Sequence, residues 1–321
     1  MCTKRWFFNC KWQVLHEAEM FKRRPLRVCL TSGLFLVILA TISFAATIFH
    51  PLFPAETFFS WLQIERNPKN LLPLIIVITP TYKRPTRFAD LTRMSYTLRM
   101  VPHLHWILVE DANETVSYVW KILERSEVPF TYLAAETVKG YPRRGWYQRN
   151  TALWYLRNES EHLMEKYHDG VVYFADDDNS YDIRVFTDYI RNVKRLGMWA
   201  VALSGGRPVE YPVVRNGTVI DFEAWLPSRR FAVDMAGFAV NLKEILNSTV
   251  VFGKTCKEGM GSPETCFLSN LGFNRSDIEP FGWDTEEEEQ EILVWHTKTV
   301  NMKFNETLYP NLSYAFEFGK K

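Results

Sequence analysis

The chain has 321 residues, of which 23% are charged, and its formal net charge is +1. This balance is ordinary for a globular protein, and the lack of a basic excess argues against nucleic acid as a partner. Aromatic residues make up 15% of the chain, which predicts a large core.

Residues 28–49 carry no charged side chain. In a helix with a rise of about 1.5 Å per residue, this run can cross a membrane core of about 30 Å. Lys and Arg outnumber Glu before it, which by the positive-inside rule keeps the N-terminus in the cytoplasm. The pattern predicts a cytoplasmic tail (1–27), a transmembrane signal-anchor helix (28–50), a stem (51–70) and a lumenal domain (71–321). A cleaved signal peptide is the alternative, although its apolar core is usually about 7–15 residues long.

N-x-[ST] glycosylation sequons occur only after the apolar run, a distribution typical of a protein that enters a secretory-pathway lumen. They lie at Asn113, Asn158, Asn216, Asn247, Asn274, Asn305 and Asn311. The same part of the chain contains two cysteines, Cys256 and Cys266, which could close a small loop in an oxidising compartment. Two unpaired thiols are the alternative.

Beyond residue 70, apolar and amphipathic runs alternate in a way that predicts one α/β domain. Apolar strands are predicted at 71–79, 105–110, 130–133 and 171–174, and helices at 88–101, 116–125 and 148–155. This order favours a parallel sheet with helices on both faces. Further along, the pattern predicts a helix at 183–196, a strand at 198–204, a hairpin at 209–227 that turns at Asn216-Gly217, and a last strand at 291–297.

Three carboxylates, Asp176, Asp177 and Asp178, follow directly after the apolar strand at 171–174. In open α/β sheets, ligands bind at the carboxyl ends of the strands. Clustered like charges raise one another's pKa unless a cation lies among them. The triplet therefore predicts a hard divalent cation held by oxygen atoms. An ordinary acidic turn after a strand is the alternative.

Two further segments contain residues suited to a binding site. The stretch YPRRGWYQRN (141–150) places Arg144 and Arg149 around the predicted start of a helix. Arginine side chains and helix N-termini are both suited to bind phosphate oxygens. A solvated basic loop is the alternative. Asp234 stands alone in the apolar run 231–240, and a buried carboxylate of this kind needs a partner or a function.

Taken in order, seven segments resemble the animal β-1,3-glucuronosyltransferases. They are TPTYKR (79–84), LHWILVEDA (104–112), RGWYQRN (144–150), GVVYFADDDNSY (170–181), WLPSRRFAVDMAGFAV (225–240), PETCFL (263–268) and VWHTKT (294–299). The resemblance implies an α/β, Rossmann-like nucleotide-sugar fold of the GT-A type. It also implies a single-pass type II protein of the Golgi membrane, with its catalytic domain in the lumen and homodimerisation as a family expectation.

The chemistry implied by the resemblance is an inverting transfer of glucuronic acid from UDP-glucuronate, with Mn²⁺ as cofactor. The implied acceptor is the 3-OH of a terminal galactose, on the proteoglycan linkage trisaccharide or, alternatively, on an N-acetyllactosamine-type glycoprotein glycan. A hypothesis of a different class is a catalytically silent Golgi protein that only binds glycans.

The resemblance also assigns residues, position by position. Tyr82 would stack on uracil and Asp111 would contact its edge. The other implied donor contacts are Arg144, Arg149, Asp176, Asp177, His296 and Lys298, the last in place of the family's Arg. Asp178 would be the direct metal ligand, and Glu210, Arg229 and Asp234 would contact the acceptor. Glu264 falls on the catalytic base, with Glu258 as its rival.

Overall fold

The computed structural model describes residues 72–283, 290–297 and 299–300. The predicted tail, transmembrane helix and stem lie outside the described residues, as do Lys298, Asn305 and Asn311. No helix within the described ranges is long and apolar enough to span a membrane.

Twelve strands occur in the described part of the chain. They are β1 Leu74–Thr81, β2 Leu104–Glu110, β3 Phe130–Ala134, β4 Gly170–Phe174, β5 Ser180–Tyr181, β6 Leu196–Met198, β7 Ala200–Ala202, β8 Val209–Arg215, β9 Thr218–Glu223, β10 Phe238–Asn241, β11 Ile278–Pro280 and β12 Ile292–Trp295. The α-helices are α1 Arg87–Arg99, α2 Ser117–Ser126, α3 Trp146–Leu163, α4 Leu242–Leu246 and α5 Pro263–Asn270.

A seven-stranded sheet forms the centre, with the strand order β11-β6-β10-β4-β1-β2-β3. Strands β1 to β4 pair in parallel, which confirms the predicted parallel arrangement. Strand β10 departs from it, because it runs antiparallel to both β4 and β6. A second sheet has the order β5-β12-β7-β8-β9. The architecture is a mixed α/β one, as the sequence indicates.

Alternate side chains of β1 enter two separate cores, one on each face of the central sheet. Ile76 and Ile78 pack in the core that contains Leu153 of α3. Ile75 and Val77 pack in the core that contains residues of α1 and α2. Burying one such side chain fully stabilises the fold by about 1.5–3 kcal/mol. The two helical layers fix the sheet, and the carboxyl ends of β1, β2 and β4 meet at one edge.

The hairpin prediction is confirmed, since Arg215 of β8 pairs with Thr218 of β9. The turn residues Asn216 and Gly217 have φ values of 51° and 72°, as a two-residue hairpin turn with two positive φ values requires.

The helix predicted at 183–196 is confirmed for residues 183–192, but it is irregular and ends earlier than predicted. A π-helical turn, Val185–Tyr189, is followed by a 3₁₀ turn, Ile190–Asn192, and then by β6. The buried guanidinium of Arg191 donates to the carbonyls of Pro73 (2.7 Å) and Pro102 (2.5 Å). We attribute the departure to these tertiary bonds, because a buried cation needs acceptors and local helical propensity is a weak preference.

The predicted strand at 198–204 is split in two. Met198 ends β6 in the central sheet, and the chain enters the second sheet at Ala200, the start of β7. Trp199 lies at the crossing, where its indole nitrogen donates to the carbonyl of Ala236 (2.9 Å). The helix predicted at 148–155 is also longer than expected, because α3 runs from Trp146 to Leu163.

Candidate active site

The candidate site lies where the acidic triplet leaves β4. The hydroxyl of Tyr181 donates to the carbonyl of Asp176 (2.8 Å), and Thr297 donates to the carbonyl of Asp178 (2.6 Å). The chain just after β12 is therefore tied to the chain just after β4. His296 lies between Thr297 and the end of β12, and its backbone N–H donates to Ala202 (2.9 Å).

Asp177 is the buried member of the triplet, with 5% of its surface exposed. Its carboxylate receives both terminal nitrogens of Arg84, at 2.9 and 2.8 Å, and the hydroxyl of Thr81 at 2.7 Å. The same guanidinium also contacts Asp90 of α1 (2.9 Å). Burial raises the pKa of Asp177, and the contacts with Arg84 and Thr81 oppose that shift. The predicted contact between Asp177 and the donor stays a prediction, and the contacts present are those of a structural ion pair.

Asp176 is paired differently, because its carboxylate bonds to Arg149 in the first turn of α3. Gly145 precedes this helix with a φ of 75°, and a Cβ there would lie 2.7 Å from Pro80. A glycine is thus required for α3 to begin against the end of β1. Arg149 also donates to the carbonyl of Arg144 (3.0 Å), while its buried Nε has no hydrogen-bond partner within the described ranges.

Asp178 has a carboxylate for which the described residues supply no hydrogen bond and no ion pair. Its backbone carbonyl is held by Thr297 and by Arg93 (2.9 Å). Burial, together with the charges of Asp177 and Asp176, raises the pKa of the Asp178 carboxyl to about 6. A like-charge environment around a free carboxylate favours a bound cation.

The donor set fits a divalent cation that takes most of its ligands from a substrate. No group of three or more His, Cys, Asp or Glu side chains in the described ranges is arranged to hold a metal ion. Cations of the Mg²⁺ type are commonly bound through one or two carboxylates plus substrate phosphates. Asp178, the free carboxylate of the triplet, matches this pattern, and Mn²⁺ shares the same preference for oxygen ligands.

His296 and Asp234 form a partly buried charge pair. The Nδ1 of His296 lies 3.3 Å from Oδ2 of Asp234, without the angle of a hydrogen bond, so the contact is electrostatic. The contact with Asp234, together with the charges of Asp176 and Asp178, raises the pKa of His296 to about 9 against the effect of burial. Burial alone would raise the pKa of Asp234, but His296, the N–H of Ala236 and a serine hydroxyl together lower it. His296 is therefore an imidazolium at neutral pH.

A single serine hydroxyl joins two of the predicted acceptor residues. The Oγ of Ser204 lies 2.8 Å from Oδ2 of Asp234 and 3.0 Å from Oε2 of Glu210. It carries one proton, so it can satisfy only one of these carboxylates at a time. The other oxygen of Glu210 accepts from the backbone N–H of Trp225 (2.6 Å). Glu210 and Asp234 thus lie side by side with acceptor capacity to spare.

Arg229 and Trp225 form the other wall of this region. The guanidinium of Arg229 lies 5.5 Å from the ring centroid of Trp225, and it donates to the carbonyls of Trp225 (2.8 Å) and Leu226 (3.3 Å). Trp225 remains 41% exposed, although it is a large apolar residue. An exposed aromatic face beside unsatisfied polar groups is suited to a sugar ring.

Glu264 is the second residue of α5 and is only 7% exposed. Its Oε2 has no hydrogen-bond partner in the part of the chain that the structure describes. Burial raises the pKa of Glu264 to about 8; a hydrogen bond from its own backbone opposes this shift, as do Arg229 and Arg149, and the charge of Asp234 adds to it. An unpartnered buried carboxyl with a raised pKa is a candidate for proton transfer. Its rival, Glu258, is exposed in the preceding loop.

The predicted nucleotide residues lie at the ends of β1 and β2. Tyr82 follows β1 and is 54% exposed, with Arg84 5.0 Å from its ring centroid. Asp111 follows β2 and accepts from the backbone N–H (2.7 Å) and the hydroxyl (2.9 Å) of Thr137. Arg144 is exposed beside the start of α3. Their contacts with a donor stay predictions.

Sequence reasoning missed two residues of this region. Arg84 supplies the counter-charge for Asp177, and the need for a cation near three carboxylates was a signal that could have identified it. Ser204 carried no such signal, because a serine at the end of an apolar run has many ordinary explanations.

Cys256 and Cys266 are bonded to each other in the structure. The five sequon asparagines within the described ranges are exposed, and their glycosylation stays a prediction.

Comparison with known proteins gave one family and several relatives. The model of glycosyltransferase family 43 matches residues 94–300. A Caenorhabditis elegans protein, galactosylgalactosylxylosylprotein 3-beta-glucuronosyltransferase sqv-8, is 41% identical over 260 residues, which cover 77% of this chain and 70% of that protein. Human galactosylgalactosylxylosylprotein 3-beta-glucuronosyltransferase 2 is 39% identical over 244 residues, covering 74% and 73%. The solved structure of S. aureus TarS 1–349 in complex with UDP-GlcNAc is a more distant match. It is 15% identical with a TM-score of 0.43, and the match covers 71% of this chain and 60% of that chain.

Proposed function

Because this chain belongs to glycosyltransferase family 43, we propose that it transfers glucuronic acid from UDP-glucuronate to the 3-OH of a terminal galactose, with inversion. The observation that carries this proposal is Glu264, a buried carboxyl with an unpartnered oxygen and a raised pKa. Arg149 acts electrostatically on Glu264 and is also bonded to Asp176, so the candidate base and the acidic triplet belong to one site.

The chemistry is a single displacement at the anomeric carbon. The acceptor hydroxyl oxygen forms a bond to that carbon while Glu264 takes the hydroxyl proton. The bond from the anomeric carbon to the β-phosphate oxygen breaks, and UDP leaves with the electron pair. Attack from the face opposite the leaving group inverts the configuration.

The leaving diphosphate needs positive charge, and His296 is suited to supply it. Its contact with Asp234 keeps the imidazolium charged at neutral pH, and a fixed cation near a developing negative charge lowers the barrier. Asp178 would hold a divalent cation, Mn²⁺ in our proposal, which when bound neutralises charge on the diphosphate. The cation would also relieve the repulsion that raises the pKa of Asp178.

The acceptor that we propose is the galactose-galactose-xylose linkage of proteoglycans. The names of the relatives refer to a galactosylgalactosylxylosyl protein. Glu210 and Asp234 have acceptor capacity for sugar hydroxyls, and Trp225 offers an exposed ring. An N-acetyllactosamine terminus is the alternative, and it differs in the linkage to the penultimate sugar.

We further propose a single-pass type II protein of the Golgi membrane with a lumenal catalytic domain. The uncharged run at 28–49, preceded by basic residues, supports this topology. A disulfide between Cys256 and Cys266 is also compatible with an oxidising lumen. Protease protection of microsomes tests the topology, since a lumenal domain must survive until detergent is added.

The test of the activity uses the full-length chain in detergent with UDP-glucuronate and Mn²⁺. The acceptor panel contains β1,3-linked galactosyl-galactosyl-xylose and N-acetyllactosamine. We expect UDP release with the first acceptor and a β-configured product by NMR. UDP release no greater than that of an Asp178→Ala variant would contradict the proposal. Galactoside binding without transfer, unchanged by Glu264→Ala, would instead identify a silent glycan-binding protein.

A further inference from the structure

The placement of Glu264 needs a physical cause, because its carboxyl bonds to its own backbone rather than to a neighbouring element. Its Oε2 makes no hydrogen bond within the described ranges. Its position therefore depends on the backbone of α5, a helix of only eight residues. Residues 247–262, which join α4 to α5, form no helix or strand.

A disulfide closes that loop around Glu264. Cys256 and Cys266 are ten residues apart in sequence, with a Cα–Cα distance of 5.8 Å, and Glu264 lies inside the ring that they close. The ring is tightly folded, since the carbonyl of Ser262 would lie 2.0 Å from a Cβ at Gly259. Within it, Met260 adopts a φ of 50°, which a residue with a side chain rarely adopts.

The first end of the ring is attached to α3. The side chain of Asn150 accepts from the N–H of Phe252 (2.7 Å) and donates to its carbonyl (2.8 Å). Asn150 is the neighbour of Arg149, which is bonded to Asp176. The disulfide, four residues after Phe252, thus connects a segment fixed on α3 to the first half of α5.

The other attachments of α5 do not involve the cysteines. Phe267 stacks on Phe252, with ring centroids 4.3 Å apart and an interplanar angle of 13°. The hydroxyl of Thr265 donates to the carbonyl of Phe231 (2.8 Å). These contacts hold α5 on the core from Thr265 onward. Among the side-chain contacts described, the disulfide is the covalent link between the loop before Glu264 and the helix.

We propose that the Cys256–Cys266 disulfide is a positioning element for Glu264, holding the first turn of α5 in register with α3 and the acidic triplet. The assignment of Glu264 as the base rests on the proposed function. Reduction would free the loop and move the carboxyl away from its place while the aromatic contacts keep α5 on the core. Turnover then depends on the oxidised state of this pair.

The test compares the full-length wild-type chain, oxidised, with a Cys256→Ser/Cys266→Ser variant. We expect kcat to fall about 10–100-fold, because a displacement of about 1 Å can cost that much. The donor KM should change less than kcat, since Tyr82, Asp178 and His296 lie on other elements. Of the predicted donor contacts within the described ranges, Arg144 alone lines a cavity with Cys256. Thr255→Ser is the matched control, because it alters the same loop and leaves the disulfide intact.

Two further readouts distinguish positioning from simple stabilisation. The charged groups that act on Glu264 are Asp234, Arg229 and Arg149, and burial is the largest cause of its raised pKa. A loosened loop admits water, so the acidic limb of the kcat profile should move to lower pH in the double variant. In a Glu264→Gln background, the two serine substitutions should cause no further loss of kcat.

Hydrogen exchange supplies a readout that does not depend on transfer. We expect the amides of residues 257–264 to exchange faster in the reduced wild type, with the central sheet unchanged. Equal exchange in both states, or an unchanged kcat and pH limb in the serine variant, would overturn the proposal. A loss of donor binding together with kcat would also overturn it, as a purely structural effect. An inactive wild type contradicts the proposed function and leaves the exchange result to decide this inference.

Discussion

Two buried carboxylates of the site, Asp177 and Glu264, have opposite surroundings. Asp177 receives both terminal nitrogens of Arg84 and the hydroxyl of Thr81. Glu264 is almost equally buried, yet one of its oxygens has no partner in the described chain. Burial raises the pKa of both. Burial alone therefore does not identify a reactive acid; burial together with an unpartnered oxygen does, because that oxygen can accept a proton from a substrate.

The largest expected effect is that of Glu264→Gln. If the unpartnered oxygen is the base, kcat should fall about 10²–10⁴-fold, the usual contribution of general base catalysis. Donor affinity should not change. The measurement is UDP release at saturating substrates, together with calorimetric binding of UDP. Glu258→Gln, on the exposed rival, is the control and should keep full activity; the reverse result would transfer the role to Glu258.

Asp177→Asn should lower the free energy of unfolding. Removing one partner of a buried ion pair costs about 3–5 kcal/mol in the free energy of unfolding, and the remaining contact of Arg84 with Asp90 places the expected loss at the lower end of that range. Glu223→Gln is the matched control, because it breaks an exposed pair with Arg207. Exposed pairs contribute about 0–1 kcal/mol. Urea unfolding measures both. Equal losses in the free energy of unfolding for the two substitutions would show that the buried pair of Asp177 contributes no more than the exposed pair of Glu223.

Of these substitutions, Asp178→Asn should change the free energy of unfolding least, and it should raise that free energy rather than lower it. The folded chain raises the pKa of this carboxyl from 3.8 to about 6, so ionisation destabilises the fold at neutral pH when no metal is bound. With a chelator present, we expect the variant to melt slightly above the wild type. Thermal melts with and without Mn²⁺ provide the measurement. A rise of Tm with Mn²⁺ in the variant equal to that of the wild type would exclude Asp178 as the ligand.

The regular part of the fold could be predicted from the sequence. Strands β1 to β4 are short apolar runs bounded by polar residues, and the Asn216-Gly217 turn has a local signature. The irregular geometry and early end of the helix at 183–192 could not be predicted in this way, because the bonds of Arg191 join residues far apart in sequence.

The candidate site was predictable in its membership and not in its pairing. The resemblance named Asp176, Asp177 and Asp178. Only the fold shows that Asp176 pairs with Arg149 and Asp177 with Arg84, and that no side chain of the described ranges pairs with Asp178. Such pairings depend on side chains brought together by the sheet, and spacing along the chain does not encode them.

The most direct test of the account is the pH dependence of kcat/KM for glucuronyl transfer by the wild-type chain. Glu264 must be deprotonated to act, and its pKa is raised to about 8. His296 must be protonated, and its pKa is raised to about 9. We therefore predict a profile that rises through about pH 8 and falls again where His296 loses its proton, at a lower pH than in the metal-free chain because a cation on Asp178 would remove part of the shift. An acidic limb near the ordinary glutamate value of 4.5 would contradict the claim that a buried, unpartnered Glu264 is the base.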